Sequence, residues 1–256
     1  MRRSLLSCLF LYMLFSCTLT GESFQVEGID FHYRLPERHS GNSQIMVLFG
    51  GRNWPGDKTL KSYGFHALAD KHQLILLSPS FRDRNYWEPE KWSGKCLMEA
   101  VSRLERRYGL KPQKLLFYGY SAGGQCSTLF SQWIPDRVAA WGVHACGVYP
   151  ETIKSASAPA LITCGTEDAE RFCISRHFIY RYREQGGQLL WKYYPDAGHE
   201  LSQQALEMAR TWFDDILSGK KIIAYGEDDT HQISDKIEPE FRNPLYSAEL
   251  MELWRE

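Results

Sequence analysis

Metal and dithiol chemistry finds little to work with in this chain. There is no C-x-x-C pair and no His, Cys, Asp or Glu cluster at metal-ligand spacing. An excess of charge is also missing. The 30 Lys and Arg against 31 Asp and Glu leave a formal net charge of -1, which gives nucleic acid or an anionic surface no electrostatic reason to bind. Internal repeats and low-complexity tracts are absent, which excludes a repeat architecture. The apolar run Leu5 to Phe15 is eleven residues long, too short to cross a bilayer as a helix.

That run reads instead as the core of an export signal. Arg2 and Arg3 precede it, and Thr18, Thr20, Gly21 and Glu22 restore polarity after it. Leu14-Phe15-Ser16-Cys17 is similar to the lipobox of bacterial lipoproteins, although Phe15 is bulky for that motif. The expectation is a signal peptide over 1–21 and an exported protein. It is either a cell-envelope lipoprotein tethered to a membrane through lipidated Cys17, or simply secreted. Cys96, Cys126, Cys146, Cys164 and Cys173 remain after such a cleavage. Their odd number leaves at least one free thiol, and an oxidising compartment permits one disulfide whose partners the sequence does not name.

What the chain does have is alternation of strand and helix. Phe24 and Val26, then Phe31, Tyr33 and Leu35, repeat at period two about Gly28, which predicts a hairpin. Buried strands are expected at Ile45 to Phe49, Leu74 to Leu77, Leu115 onward, Val138 to Val143, Ala160 to Thr163 and Leu189 to Tyr194. Helices are expected at Leu60 to His72 and around Leu97 to Tyr108, the latter capped by Ser93 and ended by Gly109. Others follow Ser121, surround Phe178, and run from Ala205 to Ile216. Repeated β-α-β units predict an α/β fold, a mostly parallel central sheet with helices on both faces. One domain is expected over 22–219, followed by a tail, 220–256, with no clear period and no readable role.

The most informative stretch is Leu115-Leu116-Phe117-Tyr118-Gly119-Tyr120-Ser121-Ala122-Gly123-Gly124. An apolar strand ends in G-x-S-x-G and runs straight into a helical pattern, the context of a nucleophile elbow. A serine hydroxyl needs a base in contact and a third group to orient that base. Downstream, one strand ends in Gly165-Thr166-Glu167-Asp168 and the next in Asp196-Ala197-Gly198-His199. Both lie where ligands sit in such sheets, beyond the strands' carboxyl ends. His199 is the expected base, and Asp168, ahead of its neighbour Glu167, the expected acid. His144 also lies near a strand end but precedes the acid loop, so it is set aside as base.

An oxyanion hole requires two main-chain N–H groups. Ala122, directly after the nucleophile, should give one. The loop Phe49-Gly50-Gly51-Arg52-Asn53-Trp54 should give the other, from Gly51 or Arg52. Trp54, Trp87 and Tyr120 are the expected substrate-binding side chains, Trp87 on the loop Phe81 to Trp87. Most of the many aromatic residues are expected to pack the core.

These segments together resemble the α/β-hydrolase superfamily, and within it the poly(3-hydroxybutyrate) depolymerase and feruloyl esterase type, with dienelactone-hydrolase-like features toward the C-terminus. The likeness spans Tyr33 to Leu217. It rests on Val47 to Gly51, Tyr118 to Gly124, Cys164 to Asp168 and Ala197 to His199, with Pro135 to Ala140 similar to the segment after the elbow helix. One departure stands out: the histidine usual before the oxyanion glycines is Phe49 here. The resemblance implies a Ser121-Asp168-His199 triad that hydrolyses carboxylic esters without metal or organic cofactor. Export suits a carbohydrate- or polymer-linked ester of feruloyl, acetyl or hydroxyalkanoate type, and the lack of a long apolar lid insert argues against a long-chain lipase. Two other classes stay open. One is a serine peptidase of prolyl-oligopeptidase type, for whose usual propeller there is no room. The other is a non-catalytic binding protein on a hydrolase scaffold. Oligomeric state is not readable.

Overall fold

Strands that are apolar along their whole length must be covered on both faces, and the central strands here are of that kind. The computed structural model describes residues 21–82, 85–234 and 236–256. The expected leader, with Cys17, lies outside the described residues. The strands are β1 (Glu22–Val26), β2 (Ile29–Arg34), β3 (Ile45–Phe49), β4 (Ile75–Pro79), β5 (Leu115–Tyr120), β6 (Val138–His144), β7 (Ala160–Gly165) and β8 (Leu189–Tyr194). They form one sheet in the order β1-β2-β4-β3-β5-β6-β7-β8. From β4 to β8 all neighbours are parallel. The β1–β2 hairpin joins antiparallel at the β4 edge.

Alternation along each strand sorts the core into two layers. Val47, Phe49, Leu115 and Phe117 face one side, where they meet Leu97, Val101 and Leu104 of α3 (Gly94–Tyr108), Phe130 of α4 (Ala122–Trp133) and Phe178 and Tyr182 of α5 (Ala169–Glu184). Met46, Leu48, Leu116 and Tyr118 face the other. There they meet Leu60 and Tyr63 of α1 (Gly56–Tyr63), Leu68 of α2 (His66–His72) and Met208, Trp212 and Phe213 of α6 (Gln203–Leu217). The fold is therefore the expected one, a mostly parallel sheet with helices on both faces.

Two local expectations need correction. The helix expected from Leu60 to His72 is two helices, because Gly64 takes a left-handed φ of 64° and ends α1. Ser93 lends no side-chain cap to α3, since the chain enters that helix through a π-helical turn, Pro89–Ser93. Gly109 does end α3, with φ 61°.

The tail gains a structural role. It forms a small antiparallel pair, β9 (Ala224–Glu227) with β10 (Arg242–Leu245), then α7 (Ala248–Arg255). β8 is the last strand of the sheet, so its outward N–H and C=O groups need partners. The tail supplies them from side chains. Asn243 Oδ1 accepts from the Trp191 N–H at 2.5 Å, and Trp254 Nε1 donates to the Trp191 carbonyl at 2.8 Å. Arg183 of α5 locks this arrangement. It is buried and paired with both oxygens of Asp228, at 2.7 and 3.1 Å, and it donates to Asn243 Oδ1 at 2.9 Å.

Candidate active site

Six parallel strands deliver their carboxyl ends to one rim, and the chemistry-bearing residues gather there. At the end of β5 the chain must turn at once into α4. Ser121 makes that turn with φ 55° and ψ -120°, a conformation that costs a non-glycine residue roughly 1–3 kcal/mol. The flanking glycines are obligatory. A Cβ on Gly119 would lie 2.0 Å from the Gly123 carbonyl oxygen, and one on Gly123 would lie 2.1 Å from that of Phe49. The same close approach sets the loop after β3 against the start of α4.

Ser121 Oγ lies 2.8 Å from His199 Nε2, and His199 Nδ1 lies 2.6 Å from Asp168 Oδ2. Only a donor can face a carboxylate, so Nδ1 carries the proton and Nε2 is left to accept from the serine hydroxyl. Asp168 is 7 % exposed, and its second oxygen accepts from Arg171 Nη1 at 2.9 Å. Glu167, the other candidate acid, is exposed. The acid and base loops are tied by their backbones: the Glu167 N–H donates to the Ala197 carbonyl at 2.9 Å, and the Thr166 N–H to that of Tyr194 at 3.0 Å.

On the other side of Ser121 lies Phe49-Gly50-Gly51-Arg52-Asn53-Trp54. The Trp54 N–H bonds the Gly51 carbonyl at 3.0 Å, closing a tight turn. Among the described residues the N–H groups of Gly51 and Arg52 meet no main-chain acceptor. Gly51 is buried and Arg52 exposed. Tyr63 of α1 joins the two sides, a link that no motif or period marks. Its hydroxyl donates to the Phe49 carbonyl at 2.6 Å and accepts from the Tyr120 N–H at 3.1 Å. Burial raises the Tyr63 phenol well above its ordinary pKa, so it stays neutral.

A crevice beside this loop is walled by Phe49, Gly51, Trp54, Phe81, Tyr86 and Cys126, and its volume is about 10 Å³, roughly one water molecule. Trp54 is thus on the crevice, with the Lys58 ammonium 3.9 Å from its ring. Trp87 is not on it. The turn closed by the Glu88 N–H on the Asn85 carbonyl, at 3.0 Å, buries Tyr86 in that wall, and Trp87 packs edge-on against Tyr86 at 5.1 Å. Tyr120 stands at the rim, and its hydroxyl donates to the His199 carbonyl at 3.0 Å. Arg171 also went unnoticed in the sequence, although its place three residues after Asp168 on a helix was a usable sign. The five described cysteines are all free thiols, Cys173 alone exposed. Among the described residues no group of three or more His, Cys, Asp and Glu side chains is placed to hold a metal ion.

No family model matches the sequence, and none of the curated proteins does. Solved structures do match. An S-formylglutathione hydrolase from Staphylococcus aureus superposes with a TM-score of 0.62 at 15% identity, covering 76% of this chain and 95% of that one. Poly(aspartic acid) hydrolase-1 from Sphingomonas sp. KT-1 gives 0.59 at 20% identity, covering 75% and 97%. A poly(3-hydroxybutyrate) depolymerase from Bordetella parapertussis gives 0.57 at 17% identity, covering 73% and 84%. The chain has the α/β-hydrolase fold. The resemblance read from its sequence segments and the resemblance of its fold point to the same group of structures. At these identities the likeness speaks for the fold, and the chemistry has to be argued from the side chains.

Proposed function

We propose that this protein is a serine hydrolase that cleaves carboxylic esters through an acyl-enzyme on Ser121. The observation that carries this is the unbroken hydrogen-bonded line from Ser121 Oγ through His199 to Asp168. Ser121 Oγ attacks the ester carbonyl as His199 Nε2 takes its proton. The imidazolium that results is stabilised by Asp168. Negative charge on the tetrahedral oxygen is met by the N–H of Ala122 and that of Gly51 or Arg52. Collapse expels the alcohol, which leaves with the proton from His199. A water then repeats the sequence on the acyl-enzyme and frees the acid. No step calls for a cofactor.

The same reading sets limits on substrate. The crevice beside the oxyanion loop has room for about one water, so a bulky acyl group finds no preformed space there, and Trp54, which lines it, is the side chain proposed to meet a ring of the substrate. Among carbohydrate- and polymer-linked esters, acetyl esters fit this best. Export as a lipoprotein through Cys17, or by simple secretion, is proposed from the leader sequence, and the mass of the mature N-terminus decides between them. The function itself is tested by p-nitrophenyl esters of increasing acyl length beside an aminoacyl-nitroanilide. Turnover of acetyl and butyryl esters, falling with chain length, is expected. Cleavage of the anilide in preference to the esters would make the protein a peptidase instead.

A further inference from the structure

The loop that carries His199 is short, exposed and without regular structure. A base on such a loop needs something to hold its imidazole in reach of the serine. Two side chains outside the triad act on consecutive carbonyls of this loop. The Tyr120 hydroxyl donates to the carbonyl of His199 at 3.0 Å, and His144 Nε2 lies 2.7 Å from the carbonyl of Glu200. Both come from the sheet, Tyr120 from the last position of β5 and His144 from the last position of β6, and β5 and β6 are paired so that these two residues are register partners. The three rings are also near-parallel neighbours. Tyr120 lies 5.9 Å from His144 with an interplanar angle of 23°, and 5.4 Å from His199 with an angle of 27°.

We propose that Tyr120 and His144 are positioning residues that anchor the backbone of the base loop to the sheet and so set the reach of His199 toward Ser121. The chemistry of His144 is defined by its partners. A carbonyl accepts only, so Nε2 must carry the proton. In the neutral ring Nδ1 is then the acceptor, and the Thr163 hydroxyl at 2.8 Å gives it its single proton in preference to the Val143 carbonyl at 3.3 Å. This tautomer requires a neutral ring. Burial supplies that condition by pushing the His144 pKa down to about 4, with the backbone contact to Glu200 opposing it. Thr163 lies on β7, so β6 and β7 together fix the donor that reaches the Glu200 carbonyl. Tyr120 has a double tie of its own, because its N–H is held by Tyr63 while its hydroxyl holds His199. The hydroxyl is thereby committed to the loop and turned away from a substrate-binding role.

The inference rests on the hydrolase reading of Ser121 and His199, and its test needs one readout that does not depend on turnover. Tyr120→Phe removes only a hydroxyl, His144→Phe removes the donor but keeps a ring, and His144→Gln returns an amide N–H near the place of Nε2. A hydrogen bond of this kind is worth roughly a 3- to 10-fold effect, so Tyr120→Phe and His144→Phe should each lower kcat by about that factor with KM unchanged. His144→Gln should recover most of the loss. Proton NMR supplies the independent readout: the far-downfield resonance of the His199 Nδ1–H facing Asp168 should broaden in both Phe variants and sharpen again in His144→Gln. Thermal unfolding of each variant checks that the fold is intact. Folded Phe variants with wild-type kcat and an unaltered downfield resonance would overturn the proposal. So would a raised KM at constant kcat, which would place Tyr120 on the substrate. If the wild type shows the downfield resonance but hydrolyses no ester, the hydrolase reading fails instead, and the resonance alone still decides whether these residues hold the loop.

Discussion

The two sides of Ser121 are built by opposite means. On one side, His199 and Asp168 are fixed by directed polar contacts. The imidazole has a donor and an acceptor at its two nitrogens, both Asp168 oxygens are engaged, and the backbone of the base loop is bonded from Tyr120 and His144. On the other side, the Gly50–Trp54 loop is shaped by close packing of glycine against backbone and rings, and the Tyr63 hydroxyl bonds the Phe49 carbonyl that leads into it. Hydrogen bonds specify direction, which a base needs. Dense packing excludes volume, which keeps the crevice beside this loop narrow. Damage to the first side should therefore act on the rate of the chemical step. Damage to the second should act on oxyanion placement and on which substrates fit.

Breaking the polar side at its acid should have the largest effect. Asp168→Asn keeps the shape but presents an amide to His199, favouring the wrong tautomer, and kcat should fall about 10⁴-fold. Glu167→Gln, at the exposed neighbour, should change kcat little, and steady-state kinetics on both variants reads the contrast. The packed side is broken by Gly50→Ala, whose Cβ would lie 2.3 Å from Thr59 Oγ1 and 2.8 Å from Trp54 Cβ. Displacing the loop should remove one oxyanion donor and cost about 10²- to 10³-fold in kcat. Gly51→Ala, whose Cβ would meet the Tyr120 and Trp54 rings at 3.2 and 3.3 Å, should cost less and shift preference toward the smallest acyl esters.

A smaller effect sharpens the contrast through pH. His144 sits 2 % exposed with its pKa lowered from 6.5 to about 4, chiefly by burial. The unfolded chain accepts a proton that the folded one resists. The stability held by neutral His144 is therefore complete above pH 6.5 and is lost as pH falls toward 4. That gap corresponds to about 3 kcal/mol. Chemical denaturation at several pH values should show wild type losing about that much more than His144→Gln across the same window. Smallest of all, Arg171→Ala removes a partner of Asp168 whose side chain is 33% exposed. Such a pair is worth about 0.2–1 kcal/mol, so kcat should fall less than tenfold.

The parts of this molecule that could be read in its sequence are those where geometry dictates residue type. The elbow admits only glycine at 119 and 123, and its strand and helix announce themselves by period. Strand ends then located Asp168 and His199 as neighbours. What could not be read depends on partners that leave no mark. Tyr120 and His144 bond main-chain carbonyls, which every residue has. Gly64 lies inside the span expected as one helix, and its left-handed conformation splits that span in two. The tail was opaque because its hold on the domain is made by contacts between residues far apart in the chain, such as the buried cluster of Arg183, Asp228 and Asn243, whose members lie 45 and 60 residues along the chain from Arg183. No period or motif encodes such a cluster. Trp87 and Tyr86 are adjacent, and a local turn decides which of them faces the crevice.

Every role proposed for this site depends on Ser121 carrying the acyl group. A rapid acid quench of the enzyme turning over an acetyl ester, followed by digestion and mass analysis, tests this directly. An acetyl group is expected on Ser121 in wild type and none in Ser121→Ala, with the variant's kcat reduced by about 10⁴- to 10⁶-fold. An acetyl group on another residue, or wild-type turnover by folded Ser121→Ala, would contradict it.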